Sequence, residues 1–245
     1  MVNALILSGD RGEDGKSKAL LKISSRYMVE YVIDSLKQSG CVNRIFIVGD
    51  EVLKKEIGHL VDGIVEPGNS IIENIRKGIE EIGDYKTPLI VCTSDIPMVN
   101  GEAIRDFVDR CREKGLELGY PIIDKRLNDE KYPEVKRTYV KMKEGTFTGG
   151  NILYMHPSIV ERCTEKADKL VEYRKKPFKM GKVLGFTFLL RLAIGMLSIP
   201  AVEKKIYEMF SVKGSAIDTP YPEIGNDVDK ADDVEFVLKH INKTA

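Results

Sequence analysis

The chain has 245 residues, 42% of them hydrophobic, which is enough for the core of one large α/β domain or of a domain with a small appendage. Its 38 basic and 38 acidic residues balance, so the overall charge gives no indication of a dedicated nucleic-acid-binding protein. Four widely separated cysteines without a C-x-x-C pair indicate neither a zinc site nor a disulfide framework, and we expect reduced thiols in a cytoplasmic protein. The chain begins with a predicted strand and shows no secretory signal, so we expect no export.

The first half of the chain alternates predicted strands with predicted helices. An apolar run beginning at Ala4 has no polar alternation, which predicts a strand buried on both faces, and it leads into a glycine-rich loop. The elements that follow are a helix over Tyr27–Leu36, strands over Arg44–Gly49 and Leu60–Val65, a helix over Asn69–Ile82, a strand over Pro88–Cys92 and a helix over Glu102–Cys111. This order predicts right-handed crossovers and a mainly parallel sheet, with ligands bound beyond the carboxyl ends of the strands.

The second half is less regular. Its predicted strands are Tyr120–Ile123, Thr138–Met142 and Asn151–Met155, followed by a helix over Pro157–Leu170, extended segments over Ser211–Thr219 and Glu223–Val228, and a closing helix over Lys230–His240. The polar segment Asp124–Lys136 is predicted to be a mobile excursion between strands.

The segment Arg174–Pro200 differs from the rest because basic residues precede a long apolar run. That run is short for a membrane span and contains Arg191, so we do not expect a transmembrane helix. One interpretation is a helical pair packed on the sheet or against a second subunit in a homodimer. The other is a basic, apolar cap over a bound substrate, or a peripheral contact with membrane lipid through residues 174–200.

The glycine-rich loop is the first candidate binding site. It combines Gly9, Gly12 and Gly15 with Arg11, Lys16 and Lys18. Glycine lets backbone N–H groups approach a ligand closely, and basic side chains attract phosphate oxygens. This combination predicts a triphosphate site, and the alternative is a solvated surface turn.

Two aspartates are the candidate metal ligands. Asp95 follows a buried strand, and Asp229 lies where an extended segment meets the last helix. Mg²⁺ usually takes one or two carboxylates together with substrate phosphates and water, so two aspartates from distant strands could hold it. The alternative role for Asp229 is a helix N-cap, and Asp227 is the competing ligand.

Four short motifs, in the order in which they occur along the chain, resemble those of the nucleotidyltransferases with a glycosyltransferase-A-like fold. That family includes the molybdenum-cofactor guanylyl- and cytidylyltransferases and the sugar-phosphate or polyol-phosphate cytidylyltransferases. The motifs are Leu5–Gly9, Lys18 within Ser17–Leu21, Ser94–Pro97 and Asp227–Asp233. Each motif is weak by itself, but the ordered set spans nearly the whole chain.

The resemblance implies a role for each group of candidate residues. Lys18 would contact a phosphate and act in catalysis with Asp95, while Asp95 and Asp229 would hold Mg²⁺. The nucleotide would be bound by Leu7, Ser8, Gly9, Asp10, Arg11, Lys16, Lys18 and Ser94, with Gly68, Asn69 and Asn74 framing the base. The asparagines have turn and cap chemistry as their alternative role. The acceptor would be bound by Gly149, Gly150 and Asn151, with Lys136 and Arg137 on its phosphate.

We therefore expect an α/β fold with a mainly parallel, Rossmann-like sheet flanked by helices. Residues 1–245 would form a single nucleotidyltransferase domain with a basic, apolar helical insertion at about 172–210. The expected reaction is Mg²⁺-dependent transfer of a nucleoside monophosphate from an NTP, CTP or GTP, to a phosphorylated small-molecule acceptor, with release of pyrophosphate. The alternatives are a nucleotide-sugar-dependent glycosyltransferase of the same fold, or a non-catalytic protein that senses nucleotides or associates with membranes.

Overall fold

The computed structural model describes residues 1–9, 17–173, 176–229 and 231–241. The predicted nucleotide contacts of Asp10, Arg11 and Lys16, and Arg174 and Lys175 of the predicted insertion, lie outside the described residues.

Strands and helices alternate through the first half, as predicted. The strands are β1 (Val2–Leu7), β2 (Lys22–Ile23), β3 (Arg26–Tyr27), β4 (Val42–Val48), β5 (Gly63–Val65), β6 (Leu89–Thr93), β7 (Leu118–Asp124), β8 (Val140–Lys141), β9 (Thr146–Gly149), β10 (Ile152–Met155) and β11 (Gly214–Asp218). The helices are α1 (Met28–Gln38), α2 (Glu51–Ile57), α3 (Ile71–Ile82), α4 (Gly101–Glu113), α5 (Lys125–Lys131), α6 (Ile159–Tyr173), α7 (Pro177–Leu184), α8 (Phe186–Ala193), α9 (Ile199–Phe210) and α10 (Ala231–Ile241).

The strands build one mixed sheet with a parallel core. Its order is β5-β4-β1-β6-β10-β7-β9-β8, and β11 pairs in parallel with β7, while β2 and β3 form a separate hairpin. Strands β5, β4, β1 and β6 run parallel, and Leu7 is opposite both Val48 and Thr93. The segments that follow these strands therefore leave the sheet along one edge, where α/β proteins bind ligands.

Helices cover both faces of the core, which explains the unbroken apolar run of β1. Ala4 and Ile6 belong to the apolar cluster that includes residues of α1 and α4, whereas Leu5 belongs to the cluster that includes residues of α3 and α6. These three side chains are fully buried. The expected α/β class, with a strand buried on both faces, is confirmed.

The segment Asp124–Lys136, predicted to be a mobile excursion between strands, is instead partly helical. The segment contains α5, whose N-cap Asp124 accepts a hydrogen bond from the N–H of Arg126. After α5, the buried Tyr132 packs edge-on against Phe236 and His240 of α10, with ring centroids 5.8 and 5.3 Å apart. Non-local aromatic packing therefore holds a polar helix that shows no apolar periodicity of its own.

Two other predicted extended segments also need correction, and some short elements were not predicted. The segment Glu223–Val228, expected to be extended, begins inside a 3₁₀ turn over Pro222–Gly225. Helix α2 and strand β9 were not predicted at all, and only Val140–Lys141 of the expected strand Thr138–Met142 pairs as a strand. These elements are short, so their patterns carry little signal.

The basic, apolar segment is helical, as expected of an insertion near the C-terminus. The expected helical pair is present as α7 and α8, a third helix, α9, begins at Ile199, and the chain then returns to the sheet as β11. Among the described residues, no helix has both the length and the hydropathy needed to cross a bilayer.

Candidate functional site

The glycine-rich loop begins and ends beside the carboxyl end of β1. The Ser8 side chain is buried, and its hydroxyl donates to the carbonyl of Val48. The Ser17 hydroxyl donates to the carbonyl of Ser8 at 3.2 Å and accepts from the N–H of Ala19 at 3.3 Å. These hydrogen bonds bring the two ends of the loop together, so Ser17, immediately before Lys18, lies beside Ser8.

Asp95 lies at the neighbouring strand end, where a distant segment docks against it. The N–H of Ser94 donates to the carbonyl of Leu7 at 3.1 Å, which continues the pairing of β1 and β6. The N–H of Val228 donates to the carbonyl of Asp95 at 2.8 Å. Asp95 is only 8% exposed, so it is surrounded mostly by protein and not by bulk water.

Asp229 follows that docked segment and contacts the lysine of the loop. Its Oδ1 lies 3.2 Å from Nζ of Lys18, and its own N–H donates to the carboxylate of Asp233 at 2.8 Å. The side chain of Lys18 is 20% exposed and that of Asp229 is 66% exposed. The structure thus brings Lys18, Asp95 and Asp229 to one edge of the sheet from three separate parts of the chain.

Asp227 has a different partner. Its carboxylate pairs with the guanidinium of Arg137, which also donates to the carbonyl of Gly149 at 3.2 Å. Val228, between the two aspartates, is buried in a small apolar cluster with Ile23. One aspartate therefore contacts the loop lysine, and the other contacts an arginine predicted to bind the acceptor.

A cavity of about 740 Å³ opens beside these aspartates. Its walls include both predicted acceptor cations and both aspartates, together with residues that sequence reasoning did not select; they are Lys136, Arg137, Thr148, Asn226, Asp227, Asp229, Asp233 and Phe236. A volume of this size is typical of small-molecule sites. Asn226 and Thr148 immediately precede residues that the sequence indicated, Asp227 and Gly149, whereas Phe236 gave no sequence signal.

A buried glutamate holds the turn that leads into this segment. Glu223 is 3% exposed and accepts hydrogen bonds from Nδ2 of Asn100 at 2.9 Å and Nζ of Lys131 at 3.0 Å. The 3₁₀ turn over Pro222–Gly225 is thereby tied to α5 and to the N-cap of α4. No sequence pattern marked Glu223 for this role, because both of its partners are distant in the chain.

Gly150 and Asn151 lie under that turn and are not part of the cavity wall described above. A Cβ on Gly150 would lie 2.7 Å from Cγ2 of Ile224, so only glycine allows this approach. The Asn151 amide donates to the carbonyl of Gly225 at 3.1 Å. Both residues support the turn, which is a sufficient structural reason for their presence.

The residues predicted to frame the base lie around the N-terminus of α3, where Ser70 is the N-cap. The N–H of Gly68 donates to Oδ1 of Asn74 at 2.6 Å, and the N–H of Asn69 donates to Glu73 at 2.7 Å. The second of these hydrogen bonds lowers the pKa of Glu73. The alternative turn and cap chemistry is therefore present here, and base recognition by these residues stays a prediction.

Two of the buried cysteines, Cys92 and Cys111, do not supply reactive thiolates. Burial, together with the neighbouring Asp95 carboxylate, raises the pKa of the Cys92 thiol to about 12. Burial likewise raises the pKa of Cys111 to about 12. Both thiols are protonated at neutral pH, so nucleophilic catalysis by either is excluded.

The oxygen ligands that the protein offers suit a magnesium site completed by substrate and water more than a site built from protein ligands alone. Within the described residues, no three His, Cys, Asp or Glu side chains form a metal-binding group. Two carboxylates, one on Asp95 and one on Asp229, match the small protein contribution typical of Mg²⁺ sites, where phosphates and water supply the remaining ligands. The residues present therefore fit the ion.

Comparisons with known proteins agree with this architecture. Residues 4–176 match the family described as the MobA-like NTP transferase domain. A solved structure described as a hypothetical transferase from Thermus thermophilus is 31% identical, with a TM-score of 0.85, covering 96% of this chain and 100% of that one. The structure of CMP:2-keto-3-deoxy-manno-octonic acid synthetase complexed with CTP has the same fold, at 11% identity and a TM-score of 0.66, covering 100% of this chain and 99% of that one. The chain belongs to the MobA-like NTP transferases and is a nucleotidyltransferase with a glycosyltransferase-A-like fold.

Proposed function

We propose that the protein transfers a nucleoside monophosphate from CTP or GTP to a phosphorylated small molecule in a Mg²⁺-dependent reaction. The observation that carries this proposal is the hydrogen bond from the Val228 N–H to the Asp95 carbonyl, with Lys18 on Asp229 beside it. These two contacts bring the end of a loop suited to binding phosphates close to two carboxylates suited to binding Mg²⁺.

The reaction needs little covalent help from the protein. An oxygen of the acceptor phosphate attacks the α-phosphorus, the bond from that phosphorus to the bridging oxygen breaks, and pyrophosphate leaves with the electron pair. Since the attacking phosphate is already an anion, no general base is required. Positioning and charge neutralisation are then the main sources of rate acceleration.

Each charged side chain has a role in that scheme. Asp95 and Asp229 would hold Mg²⁺, which when bound would neutralise phosphate charge and favour departure of pyrophosphate. The ammonium group of Lys18, whose side chain is 20% exposed at the end of the loop, would contact the triphosphate. Lys136 and Arg137 would bind the phosphate of the acceptor in the cavity, where a guanidinium can make paired hydrogen bonds.

Pyrophosphate release tests the proposal directly. Purified protein would be incubated with Mg²⁺, each NTP in turn and a panel of phosphorylated acceptors, and release with CTP or GTP is the expected result. A nucleotide-sugar-dependent glycosyltransferase would instead consume a nucleotide sugar and release a nucleoside diphosphate. Failure of every NTP and acceptor pair to release pyrophosphate would contradict the proposed reaction.

Asp95→Asn tests the assignment of the site. The substitution keeps the size of the side chain but removes its charge, and we expect turnover to fall by a factor on the order of 10² or more. Asp109→Asn, on the exposed surface of α4, is the matched control and should leave turnover unchanged. Full activity of Asp95→Asn would remove this carboxylate from the site.

A further inference from the structure

Helix α8 presents an apolar stripe to solvent. No residue of this helix is buried. Phe186, Leu190 and Ile194 recur at intervals of four and are 59%, 62% and 55% exposed, and Met196 just beyond them is 55% exposed. Residues four apart lie on one side of a helix, so Phe186 and Leu190 form a continuous surface that Ile194 extends. Large apolar side chains clustered in this way mark an interaction site.

The segment that carries this stripe contains cations and no acidic residues. Residues 176–200 contain Lys176, Lys179, Lys182 and Arg191 but no aspartate or glutamate, although the whole chain is electrically neutral. Lys176 pairs with Glu172, just before this segment, at 3.1 Å. All four cations are exposed. A Cβ on Gly181 would lie 2.7 Å from the Phe186 ring, so this ring packs against α7 immediately beside Lys182.

The stripe is held in a defined position next to β8, the outermost strand at one side of the sheet. The N–H of Lys143 donates to the carbonyl of Leu197 at 3.0 Å, and the Glu144 carboxylate accepts from the N–H of Ile199 at 3.1 Å. A Cβ on Gly195 would lie 2.9 Å from the side chain of Lys141 in β8. These contacts fix the connection between α8 and α9 to β8 and to the turn that follows it.

We propose that the surface formed by α7, α8 and the residues to Met196, here called the basic apolar surface, binds the face of an anionic lipid bilayer. The apolar stripe would enter the boundary between head groups and acyl chains, and the cations would lie among anionic head groups. The proposal rests on exposure and charge alone and does not depend on the proposed reaction.

The charge of the segment favours lipid over a second copy of the chain. In a two-fold dimer, the same patch of each subunit faces its partner, and four cations would approach four cations across an apolar centre. Like charges brought together in this way oppose association. An anionic bilayer instead complements both the stripe and the cations of the same segment.

Vesicle flotation with the full chain tests the proposal. We expect binding to vesicles of phosphatidylcholine containing about one third phosphatidylglycerol, weak binding to phosphatidylcholine alone, and a decrease with added salt. Leu190→Glu should abolish flotation. Val52→Glu, at a position 57% exposed on the distant helix α2, is the matched control and should float like the unmodified protein.

The contribution of charge is tested separately. Lys182→Gln should weaken binding about fivefold, as expected for the loss of one basic residue near an anionic surface. Lys55→Gln on the exposed side of α2 should leave binding unchanged.

Two results would overturn the proposal. One is flotation that is equal for neutral and anionic vesicles or unaffected by Leu190→Glu. The other is a dimer in sedimentation experiments that Leu190→Glu converts to a monomer, without vesicle binding by either form; a second copy would then cover the surface.

Discussion

Replacing Asp229 with asparagine separates its role in catalysis from its role in stability. The Lys18–Asp229 pair is 3.2 Å long, and the aspartate side chain is 66% exposed. An ion pair this accessible to water contributes at most about 1 kcal/mol to stability. For a chain of this length, such a loss corresponds to a decrease in melting temperature of about 2–4 °C.

The expected catalytic cost is much larger. Loss of one of two carboxylates beside a triphosphate should lower kcat/KM by about 10²–10³, comparable to removing one group that stabilises transition-state charge. This corresponds to about 2.7–4 kcal/mol of transition-state stabilisation. Asp229→Asn should therefore be nearly as stable as the unmodified protein and almost inactive, and it should need more Mg²⁺ for its remaining activity.

Asp227→Asn is the matched control, two residues away. Its carboxylate pairs with Arg137, so its removal should change the KM for the acceptor more than the dependence on Mg²⁺. Pyrophosphate release would be measured for both variants across a Mg²⁺ titration and an acceptor titration. If Asp229→Asn kept activity within about threefold while Asp227→Asn lost it and required more Mg²⁺, Asp227 would be the metal ligand and the assignment would be wrong.

Two further predictions concern stability. The Lys213 N–H and the Arg162 guanidinium lower the pKa of Glu117, so this carboxylate stabilises the native state above its ordinary pKa of about 4.3, and the stabilisation is lost as the pH falls below that value. Glu117→Gln should therefore show a smaller decrease in melting temperature between neutral and acidic pH, and equal decreases would refute the effect. Tyr132→Ala should lower the free energy of unfolding by about 3–5 kcal/mol, because it removes a buried ring packed on Phe236, whereas Tyr132→Phe should lower it by about 1 kcal/mol. Urea unfolding of both Tyr132 variants measures the difference, and similar losses would show that the hydroxyl matters more than the ring.

The parallel core could be predicted because its signals are local. Apolar runs such as that of β1 reflect burial on both faces, and the one-sided periodicity of α3 reflects packing on a sheet. Both patterns are visible within a window of about ten residues. The carboxyl ends of these strands then follow from the chain direction, which placed Ser8 and Asp95 at one edge.

Helix α5 and the 3₁₀ turn could not be predicted, since distant partners hold them in place. Tyr132 packs on residues of α10, and Glu223 binds Asn100 and Lys131. Neither contact leaves a periodic pattern in its own segment. The energy that orders such segments comes from tertiary packing and not from local propensity.

The sequence by itself determined the α/β class, the alternation of strands and helices in the first half of the chain, and the set of acidic and basic residues from which a site could be built. Only the tertiary structure decided which aspartate contacts which cation. Spacing could not separate Asp227 from Asp229, because alternate residues of an extended segment share one side. Val228 is buried and donates a hydrogen bond to Asp95, and in this position Asp229 contacts Lys18 whereas Asp227 contacts Arg137. All of these contacts join residues that are far apart in the chain.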